Sequence, residues 1–128
     1  MERWIHPPPS SHEGTLVKKI EAIVKPFRVE QVQEELRSAG VLGMTVSEVR
    51  GYGRNDSHRE IHRCSEYTVD FVPRAKVEIV VSDDIADAAV AAIIRAAKTG
   101  KTGDGKIFVS SMTDALRIRT AETGNPAL

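Results

Sequence analysis

The chain has 128 residues, with 18 Lys+Arg against 18 Asp+Glu, so its formal net charge is zero and no overall field draws it to nucleic acid or to an anionic membrane. A hydrophobic content of 41% supports one buried core, the single cysteine Cys64 excludes a disulfide scaffold and cysteine-pair zinc sites, and three Phe, two Tyr and one Trp are few for base stacking. No apolar run approaches the roughly 18 residues of a membrane span, so the composition reads as one soluble, cytoplasmic domain without direct membrane insertion.

In chain order, residues 1–16 stand apart. Pro7, Pro8 and Pro9, followed by Ser10, Ser11 and Gly14, suit an extended or disordered segment rather than a helix. The segment lacks the apolar stretch of a secretory signal. It is read as an N-terminal extension to a domain covering residues 17–128, with Val17 as the alternative natural start. From Val17 the pattern turns regular: Ile20, Ala22 and Val24 alternate with Lys19 and Glu21, which predicts a half-buried strand over 17–24. Pro26 opens a helix with Val29, Val32, Leu36 and Ala39 at helical spacing, and Gly40 stops it. A second strand is predicted over 44–49. Residues 54–66 are polar and aperiodic, a long exposed loop of the functional kind.

Strand character returns at 67–71 and 74–81, where Val77, Ile79 and Val81 alternate with Lys76 and Glu78. Asp83 is expected to cap the next helix, with Asp84 and Asp87 complementing its positive end. That helix places Ile85, Ala88, Ala89, Ala92, Ile93 and Ala96 on one face. A glycine-rich loop over 99–106, a strand over 107–109 and a short strand over 116–120 complete the order. Strand, helix, strand, strand, helix, strand is the ferredoxin-like βαββαβ plan, an α+β fold with one antiparallel sheet and both helices on one face. The opposite face, with Ile23 and Val80, then needs another subunit as cover.

The sharpest local signal is Gly100-Lys-Thr-Gly-Asp-Gly-Lys106, where glycines let backbone amides face an anion and Lys101 and Lys106 supply charge; a plain turn without a ligand fits the same residues. The loop runs from helix into strand, the reverse of a Walker loop. Arg117 and Arg119, two apart on a strand, would face one side and could reach one polyphosphate; a solvated edge strand fits the same spacing. His58 and His62 have a metal-ligand spacing only on a helix, His6 and His12 lie in the extension, and Cys64 and Ser65 have no partner base that spacing can place. No catalytic constellation emerges.

Lys18-Lys-Ile-Glu-Ala-Ile-Val-Lys-Pro-Phe27, Gly43-Met-Thr-Val46, Glu66-Tyr-Thr-Val-Asp-Phe71, Thr99-Gly-Lys-Thr-Gly-Asp-Gly-Lys-Ile-Phe108 and Arg117-Ile-Arg-Thr120, in that order and without gaps from about Val17, closely resemble the PII signal-transduction proteins of nitrogen regulation. The resemblance implies a homotrimer of ferredoxin-like subunits that binds ATP or ADP, with Mg²⁺ accompanying ATP, in clefts between neighbours. By position, Gly103, Asp104, Gly105 and Lys106 would hold phosphates, and Arg117 and Arg119 would reach them from the adjacent subunit. Thr45, Glu78 and Val80 match positions around the adenine, and Gly53 and Arg54 match nucleotide-binding positions, Arg54 a phosphate-contacting arginine, at the root of the family's long T-loop, about 53–70 here. The resemblance implies a non-enzymatic regulator whose T-loop docks on a target such as an ammonium or other transporter, a metabolic enzyme or a modifying transferase.

Tyr67 matches a uridylylated tyrosine and Ser65 a phosphorylated serine of relatives. Several positions depart from the pattern of 2-oxoglutarate sensors, among them Asp56 and Ser57, which stand for a usual Lys-Gly pair. Asn55 replaces the glutamine that helps coordinate Mg²⁺ bridging ATP and the oxoacid, with about 1.5 Å less reach. Arg74 replaces the lysine that pairs with the oxoacid, and a guanidinium also takes a carboxylate. The departures open an alternative, a PII-like sensor of adenylates or bicarbonate; a slow ATPase is a second alternative.

Overall fold

A computed structural model describes residues 16–53 and 71–128. The expectations for the N-terminal segment and for most of the 53–70 loop, including the strand at its end, lie outside the described residues. Strand β1 (Val17–Val24) buries Ile20, Ala22 and Val24 and turns Lys19, Glu21 and Ile23 to the other side, as its alternation dictates. Pro26 does not open an α-helix directly. It starts a 3₁₀ turn, Pro26–Arg28, with α1 (Val29–Ser38) following, because proline suits a first turn whose amide would be unpaired anyway. Val32 and Leu36 are the buried stripe of α1. Its end is a Schellman closure: Gly40 sits at φ +96°, its N–H donates to the Arg37 carbonyl at 3.0 Å, and the Val41 N–H donates to the Leu36 carbonyl at 3.0 Å.

Strands β2 (Thr45–Gly51), β3 (Val72–Ser82) and β4 (Lys106–Met112) join β1 in the order β2-β3-β1-β4, and every neighbouring pair is antiparallel. With α1 and α2 (Asp83–Ala97) this is the ferredoxin-like arrangement expected from the element order. Ala75, Val77, Ile79 and Val81 of β3 join the β1 residues against Val32, Leu36, Ala89, Ala92 and Ile93 in one core. Alanines on the inner side of α2 bring its backbone close to the sheet. Ala86 rather than Ala88 belongs to that side; Ala88 is exposed. Glu35 and Arg95 tie the helices together, with Nη2 to Oε1 at 2.9 Å.

On the open face, Glu21 pairs in register with Glu78, an arrangement in which like charges repel. Diagonal lysines relieve it: Lys19 Nζ lies 3.0 Å from Glu78 and Lys76 Nζ 3.2 Å from Glu21. Ile23 and Val80 share this face by register parity, as expected.

Two further expectations are corrected. Asp83 does not cap α2; Ser82 holds the cap position without a side-chain hydrogen bond, and Asp83 is the first helical residue, ion-paired with Lys18. Residues 116–120 form no strand, since no neighbouring strand offers them a ladder. Leu116 makes one isolated bridge with Thr123, and the chain turns between them through Ala121 N–H to Arg117 O at 2.7 Å. Ala121 adopts φ +63°, the single non-glycine in the left-handed region among the described residues. Ala121→Gly is therefore expected to raise stability by about 1 kcal/mol, read by urea denaturation at fixed protein concentration.

Candidate functional site

The glycine loop between α2 and β4 is shaped from inside by Asp104. Its Oδ2 accepts from the Thr99 and Gly100 amides, each at 2.9 Å, and its Oδ1 accepts from the Thr99 hydroxyl. Lys25 at the end of β1 completes the lock, 3.3 Å from Asp104 Oδ1 and 3.2 Å from Thr99 Oγ1. Burial opposes ionisation of Asp104, but these four donors together outweigh it and hold its carboxyl well below the usual carboxylate range. The Asp104 carboxylate is thus spent on the loop, leaving its backbone to the cleft outside.

Gly103 and Gly105 adopt φ +87° and +106°. A Cβ on Gly105 would stand 1.7 Å from the Ile23 carbonyl oxygen, so the loop backbone lies directly against β1. Lys106 pairs with Ile23 in register and lies on the open face. Around this corner is a cleft of about 840 Å³ lined by Gly53, Arg74, Lys101, Gly103, Gly105 and Lys106 among others. Arg74 runs along it: Nη1 donates to the Pro73 carbonyl at 2.9 Å, and Nη2 is placed so that a Cβ on Gly103 would be 2.7 Å away. Three cationic side chains and a glycine turn around one opening are the kind of donor set that a multiply charged anion requires.

Thr45, Glu78 and Val80 meet elsewhere. Thr45 and Glu78 are register partners on β2 and β3, and all three line a second cleft of about 650 Å³ with Lys19, Met112 and Leu128. Ile23 borders the first cleft and Lys19 the second, so the two clefts lie at opposite ends of β1. The hydrogen bond and charge of Lys19 hold the Glu78 carboxyl below its ordinary value, and Glu78 raises Lys19 in return. Arg117 and Arg119 line neither cleft. Arg117 Nη2 donates to the Leu128 main-chain oxygen at 2.9 Å, and its Nε lies 3.6 Å from Glu122. Strand alternation, the basis for placing the two arginines on one side, does not apply to a turn.

Arg54, Asn55, Ser65 and Tyr67, like His6, His12, His58, His62 and Cys64, lie outside the described residues. Among the described residues no group of three or more His, Cys, Asp or Glu side chains could hold a metal ion, and no helix is long and apolar enough to cross a membrane. Sequence reading gave Lys25 and Thr99 no role of their own in this site. The pair is separated by 74 positions, and no spacing signal links such residues.

A family model described as nitrogen regulatory protein P-II matches residues 17–122. The nitrogen regulatory protein P-II of Cereibacter sphaeroides is 53% identical over 112 residues, which cover 88% of this chain and 100% of that protein. P-II 1 of Escherichia coli K12 is 54% identical with the same coverage. Among solved structures, Arabidopsis thaliana PII bound to citrate superposes with a TM-score of 0.74 at 41% identity, covering 89% of this chain and 94% of that one. The sheet order, the glycine loop and this likeness along the domain agree: the chain belongs to the nitrogen regulatory P-II family, whose members are trimeric signal-transduction proteins rather than enzymes.

Proposed function

We propose that this protein binds ATP or ADP at the interfaces of a homotrimer and controls nitrogen or carbon assimilation targets through the loop of residues 53–70. The glycine loop carries this reading: Asp104 and Lys25 hold it from within, and Lys101, Lys106 and Arg74 surround the opening it makes. The position of the second cleft supports the trimer. One chain keeps the phosphate-type cleft and the Thr45–Glu78–Val80 cleft at opposite ends of β1, so a single nucleotide is held by the first cleft of one subunit and the second cleft of its neighbour. Arg117 and Arg119, on the exposed turn beyond β4, then belong to the neighbour's contribution.

Calorimetric titration with ATP and ADP tests this. Lys106→Ala is expected to weaken ATP binding roughly 10- to 100-fold, the loss of a charge-assisted hydrogen bond of about 1.5–3 kcal/mol, and Arg117→Ala about 10-fold. Undiminished binding in either variant would remove the site assignment.

A second anionic input fits the same cleft. Arg74 lies beside Gly103, where a guanidinium offers a carboxylate two parallel donors. Mg²⁺, for which the described residues supply no set of their own, would arrive with ATP. Binding of 2-oxoglutarate to the MgATP-saturated protein assigns a nitrogen-status sensor; adenylate binding without it assigns a sensor of adenylates or bicarbonate.

A further inference from the structure

Arg117 is already engaged within its own chain. Its Nη2 donates to the Leu128 main-chain oxygen at 2.9 Å, and its Nε faces the Glu122 carboxylate at 3.6 Å. Glu122 is oriented for this: the Thr120 hydroxyl donates to its Oε1 at 2.8 Å, and the Glu122 amide donates to Thr120 Oγ1 at 3.2 Å. The same segment reaches the second cleft. Gly124 is buried and anchored through its N–H to the Ala115 carbonyl at 3.0 Å and to Asp114 Oδ1 at 3.2 Å. The 3₁₀ turn Asn125–Ala127 then brings Ala127 and Leu128 to line the cleft that holds Thr45, Glu78 and Val80.

One short segment therefore neutralises the guanidinium and borders the site assigned to the nucleotide base. We propose that residues 122–128 act as an internal competitor of the nucleotide, with Glu122 and the Leu128 oxygen occupying Arg117 until a phosphate group of the incoming ligand displaces them. This rests on the nucleotide reading above and adds its regulation. The physical basis is exchange of one set of acceptors for another. Arg117 has acceptors both before and after, so the net gain from the phosphate is reduced by whatever the internal pair contributes. Displacement also releases Leu128, which borders the second cleft, from Arg117, and so couples occupancy of the phosphate-binding arginine to the edge of the base-binding cleft.

The pair is exposed on both sides, with side-chain exposures of 41% for Arg117 and 50% for Glu122, so its effect is modest. Glu122→Gln keeps the shape and the acceptor for Thr120 while removing the charge. It is expected to tighten ATP binding about two- to fivefold by calorimetry. That gain must disappear when Glu122→Gln is made together with Arg117→Ala, because a general loss of negative charge would persist without the arginine. A Glu122→Gln variant that binds ATP no better than the parent, or a gain that survives in the double variant, overturns the proposal. The nucleotide reading has a separate check in the same series. If the parent takes up neither ATP nor ADP, or Arg117→Ala binds undiminished, both readings fall. If Arg117→Ala weakens binding but Glu122→Gln does not tighten it, only the internal competitor falls.

Discussion

Gly105→Ala is expected to lose roughly 2–5 kcal/mol of stability, the sum of about 1–2 kcal/mol for a side chain at strongly positive φ and about 1–3 kcal/mol for overpacking. The added Cβ would lie 1.7 Å from the Ile23 carbonyl oxygen and 2.9 Å from its carbon, with φ +106°. The obstructing atoms are strand backbone, which cannot swing away as a side-chain tip can, and they belong to the last register pair between β1 and β4. Gly100→Ala is the control. It sits at φ +86° with nothing within 4 Å of the new carbon, so the conformational part alone applies, about 1 kcal/mol. Urea denaturation of both variants at one protein concentration separates the two. Equal losses would mean that the loop does not approach β1 as described.

The Asp104→Ala variant is expected to lose about 2–3 kcal/mol and to bind ATP at least several-fold more weakly, since the loop loses the acceptor for Thr99 and Gly100 and leaves Lys25 without its carboxylate. A pH signature accompanies it. The Asp104 carboxyl is held below its ordinary value of 3.8 in the folded protein. Its contribution is therefore complete above that value and is lost as the pH falls below it toward the folded-state value. The stability difference between parent and Asp104→Ala should be full at about pH 6 and smaller at about pH 3. A difference that stays constant across this range would mean that the carboxylate is not what closes the loop.

How the loop is closed was only partly legible in the residues. Three glycines between a helix and a strand mark a turn that can present amides to an anion, and the lysines supply the charge. That Asp104 faces inward, against Thr99, Gly100 and Lys25, depends on β1 lying next to the loop. Residues 116–120 show the opposite limitation. Leu-Arg-Ile-Arg-Thr alternates as a strand does, yet Ile118 is 98% exposed and Leu116 62% exposed. A strand needs a neighbour's hydrogen bonds as well as alternation, and here the chain folds back on itself at Ala121 instead.

The sequence by itself determined the element order, the side of β1 and β3 that is buried, the stop at Gly40 and the family, because each is written in local periodicity, in backbone freedom or in short ordered motifs. The tertiary structure alone decided which donors hold Asp104, that Arg117 is met by Glu122 and Leu128, and that the glycine-loop residues and the Thr45–Glu78–Val80 set lie in two clefts at opposite ends of one strand. The reason is physical: periodicity says which way a side chain points, whereas its partners come from segments far away in the chain that only the packed sheet brings within hydrogen-bonding distance.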